Sequence, residues 1–116
     1  MKEFIFLIRL SPAPLQEDQT QLLRQQWGKL TTRLRAEEKF VDGYIFSPGG
    51  FTVEGIDART VTNAATNESG LQAAGCVMIH AESMEEALQI ARECPPLNFG
   101  GTVEVRERQP QPQPSN

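Results

Sequence analysis

Phe4-Ile5-Phe6-Leu7-Ile8 is an unbroken run of aromatic and branched apolar residues. That pattern suits a central strand covered on both faces rather than one with a wet side. Ser11-Pro12-Ala13-Pro14 stops it, because proline cannot donate to a ladder. From Leu15 to about Glu38 the apolar positions Leu22, Leu23, Trp27, Leu30 and Leu34 recur at helical spacing, which predicts one long amphipathic helix. Gly28 within it costs up to about 1 kcal/mol against alanine; it marks either close packing or, more simply, a tolerated surface position.

Phe40 to Phe46 reads as a second strand, closed by the turn Ser47-Pro48-Gly49-Gly50. Phe51 to Glu54 is expected to return antiparallel, and Thr60 to Thr62 to add a short third arm. Ala74 to His80 predicts another buried strand. Ser83 is a suitable N-cap with Glu86 completing a capping box, and Met84, Ala87, Leu88 and Ala91 form the stripe of a second helix. Pro95-Pro96 ends that helix. Gly100-Gly101 opens a last strand, Thr102 to Arg106, whose alternation gives it one apolar and one polar face. The expected unit is one α+β domain over residues 1–107, an antiparallel sheet with two helices on one face. Residues 108–116 carry alternating Gln and Pro and are expected to form a flexible, polyproline-like tail.

Two helices cover one side of such a sheet, and alternation assigns the side chains left on the other. If Phe4, Phe6 and Ile8 face the helices, Ile5, Leu7 and Arg9 face away. Val77 and Ile79 likewise face in, leaving Cys76, Met78 and His80 outside. An apolar outer face on a small protein marks an interface, so a homodimer is expected, with a cavity enclosed between two facing sheets. At the rim of that face Arg9, His80, Glu104 and Arg106 converge if their strands are neighbours. Such a group could bind a small acid or assist proton transfer; a solvated rim or an intersubunit ion pair is the commoner arrangement. Trp27, on the apolar helix stripe, reads as core, with ligand stacking as the alternative. Met84 and Phe99 read as packing.

Composition narrows the function classes. Hydrophobic residues make up 39% and charged residues 22% of 116, ordinary globular values. The net charge of −4, with Arg24, Lys29, Arg33 and Arg35 interleaved with Glu37 and Glu38, argues against nucleic acid as a partner. Two cysteines, Cys76 and Cys94, with no CxxC and a single histidine argue against a zinc site, and no cofactor is expected. MKEFIFLIRL lacks a cleavage site and reads as a strand, and no apolar run approaches a bilayer span. A cytoplasmic protein with no membrane partner is therefore expected. Asn67-Glu68-Ser69 fits a glycosylation pattern only by chance.

Ala81-Glu82-Ser83-Met84-Glu85-Glu86-Ala87-Leu88-Gln89-Ile90-Ala91, followed by Cys94-Pro95 and then Gly100-Gly101-Thr102-Val103-Glu104-Val105-Arg106, resembles the C-terminal half of the YCII-related proteins, in the subgroup named for a DGPF motif. The apolar opening strand, Trp27, and Val41-Asp42-Gly43 agree less specifically. The resemblance spans residues 1–107. It implies a ferredoxin-like βαββαβ sandwich that pairs sheet to sheet as a dimeric α/β barrel. It further implies a site built around a His and an Asp, and members encoded or fused beside sigma factors and other signalling domains. Where the motif has Asp-Gly-Pro-Phe after a valine and a polar residue, VTNAATNESG offers Asn63-Ala64-Ala65-Thr66 after Val61-Thr62. Asn63 keeps the shape of an aspartate but cannot act as a general base. The first helix has no histidine either, so the implied His and Asp pair does not carry over. Asn63 and Thr66 are expected at most to line a pocket, in what is otherwise a connecting loop.

The expected function is thus a YCII-related dimer, non-catalytic or weakened, that binds a small molecule or a partner, a signalling or sigma-factor-associated protein among the candidates. The alternative is a small-metabolite enzyme of the dimeric α/β-barrel type using His80 and Arg9. A third is an interaction module that offers its Pro/Gln tail as a ligand. The candidate pocket residues are Arg9, Trp27, Asn63, Thr66, Met78, His80, Glu104 and Arg106.

Overall fold

The computed structural model describes residues 1–110. Strand β1 (Lys2–Leu10) leads to helix α1 (Glu17–Ala36), strands β2 (Phe40–Ile45), β3 (Phe51–Glu54), β4 (Thr60–Asn63) and β5 (Gln72–Ala81), helix α2 (Met84–Ala91), a 3₁₀ turn (Pro95–Phe99) and strand β6 (Thr102–Glu107). Four strands form an antiparallel sheet in the order β2-β5-β1-β6. The architecture is α+β and compatible with a ferredoxin-like fold. Arg108 extends the β6 edge by one step, donating its backbone N–H to the Glu3 carbonyl at 2.8 Å. The Pro/Gln tail from residue 111 onward lies outside the described residues.

The apolar run of β1 is central in the sheet, and its alternation sorts as the spacing predicts. Phe4, Phe6 and Ile8 are buried under the helices together with Val77 and Ile79 of β5, Leu30 and Leu34 of α1, and Ala87, Ile90 and Ala91 of α2. Trp27 packs against this core from α1, which bears out its reading as a packing residue. Gly28 meets nothing within 4 Å of where a Cβ would stand, so it is a surface glycine. Ser83 caps α2, its Oγ accepting the Glu86 backbone N–H at 3.2 Å.

Several expectations are corrected. Phe51–Glu54 does not return along β2; β3 pairs with β4, from Phe51 opposite Asn63 to Glu54 opposite Thr60, as a separate two-stranded hairpin. The chain after Gly49 and Gly50, at φ +84° and +135°, turns away from the sheet edge. None of the hairpin's residues joins the core, and Phe51, Val53 and Val61 form an exposed apolar row on it. The Glu86 carboxylate turns to the Lys39 ammonium at 3.2 Å, so the described capping bonds at Ser83 run in one direction. Met84 and Leu88 are more than a third exposed, and Ile90 takes the buried place on α2. Leu22 is likewise exposed, one position round the helix from the buried stripe.

Candidate functional site

The sheet face opposite the helices is the part of the domain its own secondary structure leaves bare, and strand register places its side chains. Residues directly opposite one another in a ladder share a face. One row across the sheet reads Asp42 (β2), Met78 (β5), Ile5 (β1), Arg106 (β6); the next reads Tyr44, Cys76, Leu7, Glu104. A third row brings His80 beside Glu3. The middle of the face is apolar and half-buried, and charges flank it on both edge strands.

On the β6 side Glu104 is held by two guanidinium groups. Arg9 Nη1 lies 2.9 Å from Oε1 and Arg106 Nη1 lies 3.0 Å from Oε2. The hydrogen bond from Arg9, then that from Arg106, keeps the Glu104 carboxyl below its ordinary range. Two cations against one carboxylate leave this corner net positive. On the β2 side the Tyr44 hydroxyl donates to Asp42 Oδ2 at 2.7 Å, and the Gly43 backbone N–H donates to Oδ1 at 2.8 Å. The tyrosine bond, followed by the backbone bond, lowers the Asp42 pKa, and the same carboxylate raises that of Tyr44. Tyr44 is the hydrogen-bond donor of this pair.

Two glycines allow this arrangement. A Cβ on Gly75 would stand 2.6 Å from the Tyr44 carbonyl, so β2 can approach β5 closely only with glycine there. A Cβ on Gly101 would stand 2.6 Å from the Arg9 carbonyl, the equivalent constraint where the chain enters β6.

The predicted site residues are only partly brought together. Arg9, Glu104 and Arg106 converge as expected, and Met78 lies at the centre of the same face. His80 does not join them. It sits opposite Glu3, six residues from Arg9 along β1, which at strand rise is about 20 Å. Adjacency of strands was read correctly, but the antiparallel register sends the end of β5 to the start of β1. The His80 Nδ1 is buried with no hydrogen-bond partner among the described residues, while Glu3 pairs with Arg108 instead.

Trp27 is on the helix side of the sheet, away from this face. Asn63 ends β4 on the exposed hairpin. Thr66 bridges to Gln72, which is itself opposite Leu10, so that loop adjoins the Arg9 end of the sheet. The organiser of VTNAATNESG is Asn67: its Oδ1 accepts the backbone N–H groups of Ser69 and Leu71 at 3.0 and 2.9 Å. Gly70 follows at φ +77°. This is an Asx-type turn, structural in character.

Asp42 and Tyr44 were missed. Their i, i+2 spacing was a visible signal, but alternation counted from the core residue Phe40 would have turned both inward. A bulge between Phe40 and Asp42 reverses the faces. Two shallow grooves, of about 630 and 410 Å³, run along the outside of α1, and none of the predicted site residues lines either. The second is bridged by the paired Arg33 and Glu93 side chains, 2.5 Å apart, and reads as helix-to-turn packing.

A family model described as the YCII-related domain matches residues 3–109. The chain belongs to the YCII-related family. No curated protein matches it. The family match covers both helices and all of the sheet but Lys2, so the bare face and its flanking charges lie within the matched region. Among the described residues, no helix is long and apolar enough to cross a membrane.

Proposed function

We propose that this YCII-family protein is a homodimeric binding module that takes a small organic acid against the bare sheet face. The observation that carries the reading is the corner where Arg9 and Arg106 share one carboxylate beside the apolar strip of Ile5, Leu7, Cys76 and Met78. A ligand carboxylate can compete for the guanidinium groups, while an apolar body covers the strip. A second copy would enclose that site and remove the apolar face from water.

The geometry favours binding over catalysis. His80 and Arg9, which an acid–base enzyme on this face would use together, are too far apart to act on one substrate atom. Asn63, at the position where the resemblance places an acid, carries no titratable proton.

A thermal-shift screen of the purified protein against small organic acids, phenols, lactones and nucleotides tests the reading. A ligand at about 100 times its dissociation constant stabilises by roughly 2.7 kcal/mol, a shift of several degrees for a domain of this size. A carboxylate hit that Arg9→Gln abolishes supports it. Silence across the panel counts against it and turns attention to a protein partner, such as a signalling or sigma-factor-associated protein, with pull-down as the assay.

A further inference from the structure

The two edges of the bare face differ in what they offer a ligand. On β6 both oxygens of Glu104 are taken, one by Arg9 and the other by Arg106, each through a single Nη1 atom. A guanidinium carries five N–H donors and no acceptor, so this edge has donors to spare and nothing that accepts.

On β2 the arrangement is reversed. Tyr44 has one hydroxyl proton and gives it to Asp42 Oδ2, while the Gly43 backbone N–H goes to Oδ1. What remains are lone pairs, on the tyrosine oxygen and on both carboxylate oxygens. Both side chains are exposed, and an exposed tyrosine ring also attracts a cation to its face.

Strand register sets the two edges apart. Asp42, Met78, Ile5 and Arg106 lie in one row, and Tyr44, Cys76, Leu7 and Glu104 in the next. In the order β2-β5-β1-β6 the acceptor edge and the donor edge are three strand spacings apart, which is about 14 Å between backbones. Only apolar side chains of β5 and β1 stand between them in these rows. The charges match as well: two guanidinium groups against one carboxylate leave one positive charge on β6, and Asp42 supplies one negative charge on β2.

We infer that the face selects an elongated zwitterion, with its carboxylate at Arg9 and Arg106, its ammonium at Asp42 and Tyr44, and an apolar body across Ile5, Leu7 and Met78. This rests on the acid-binding reading above and adds what the far end of the ligand must carry. Hydrogen bonds take up about 3 Å at each end, so the ligand's two charges stand roughly 8 Å apart. An α-amino acid, whose charges sit on adjoining atoms, cannot reach across. An extended aminohexanoate with its amine on the terminal carbon can. A dicarboxylate would set one of its charges against Asp42, a like-charge contact that recognition avoids.

NMR titration of the wild-type protein with three probes tests the span: terminal aminohexanoate, hexanoate and norleucine. Norleucine is built from the same atoms as the first probe but carries its ammonium beside the carboxylate. Terminal aminohexanoate is expected to bind at least roughly threefold more tightly than either, the gain from one ion pair on an exposed edge. The backbone amides of Gly43 and Tyr44 should shift with it and not with hexanoate. Asp42→Asn is expected to bring the affinity ratio of aminohexanoate to hexanoate to about one, whereas Arg9→Gln weakens both.

The wild-type comparison needs no variant to fold. Equal affinities for aminohexanoate and hexanoate, or a ratio that Asp42→Asn leaves intact, overturn the zwitterion, while Arg9-dependent binding of hexanoate keeps the acid-binding reading. Norleucine binding as tightly as aminohexanoate also overturns it, because no span would then be needed. Failure of all three probes to bind overturns both.

Discussion

The two faces of one sheet are made from the same strands, yet they are stabilised by different means. On the helix side Phe4, Phe6 and Ile79 are at most 1% exposed and pack against both helices. On the other side Ile5, Leu7, Cys76 and Met78 alternate with them along the same two strands and remain half-buried, with charges drawn up on either edge. One face completes the fold of a single chain. The other is left open by the chain's own elements, and under the proposed binding and pairing its energetic worth would depend on concentration and ligand.

Truncation on the two faces should break that comparison most clearly if it is wrong. Phe6→Ala, which empties a fully enclosed site, is expected to cost about 3–5 kcal/mol in chemical denaturation. Leu7→Ala, the next residue, should cost no more than about 1–2 kcal/mol in dilute protein and show its main effect on association. Equal losses would mean that both faces are already core. Gly75→Ala comes next, at about 1–3 kcal/mol, since its Cβ would collide with the Tyr44 carbonyl at 2.6 Å. The variant should also lose more of the β2-edge chemistry than of the β6-edge chemistry.

Acid sharpens the contrast between the edges and the core. Asp42, Glu104 and Glu93 have pKa values lowered in the folded state, by the Tyr44, Arg9 and Arg33 hydrogen bonds respectively. Their contribution is complete above the unfolded carboxylate range near pH 4 and is lost as pH falls through the lower folded values. Denaturant midpoints should therefore drop below about pH 4, and Tyr44→Phe should reduce that drop. Its persistence unchanged would mean that the β2 edge contributes nothing.

Thiol reactivity separates the two faces chemically. Burial pushes the Cys94 thiol up to about 12, so it should stay unreactive toward disulfide reagents until the chain unfolds. Cys76, on the open face, should react first and more slowly as protein concentration rises. Labelling of Cys94 before Cys76 would reverse the assignment of faces. The smallest effect is local: Glu38 follows α1 at φ +60°, and Glu38→Gly should stabilise by about 1 kcal/mol without altering association.

Much of this was written in local patterns. The run Phe4 to Ile8, the spacing of Leu30 and Leu34, the Ser83 cap and the Pro95-Pro96 stop act over a few residues, and each appears in the fold where periodicity put it. The division of β1 and β5 into two faces followed from alternation alone. What failed depended on choices between competing partners, some of them distant in sequence. Glu86 left its capping role for Lys39, a partner 47 positions earlier in the chain. The β3 strand chose β4 over β2, a competition between two plausible hairpins that strand propensity does not rank.

The candidate site divides in the same way. That Arg9, Glu104 and Arg106 share a face was legible, because each lies at a fixed parity along a recognisable strand. That His80 is about 20 Å from Arg9 was not, because register is set by where strands begin to pair. Nor could Asp42 and Tyr44 be placed, since one bulged residue at β2 exchanges inside for outside. Sequence by itself determined the elements, the two-sided character of the sheet and the apolar strip left over, all of which follow from covalent geometry acting over a few residues. Only the tertiary structure decided which charges flank that strip, because ladder register and a single bulge are settled by packing of the whole sheet at once.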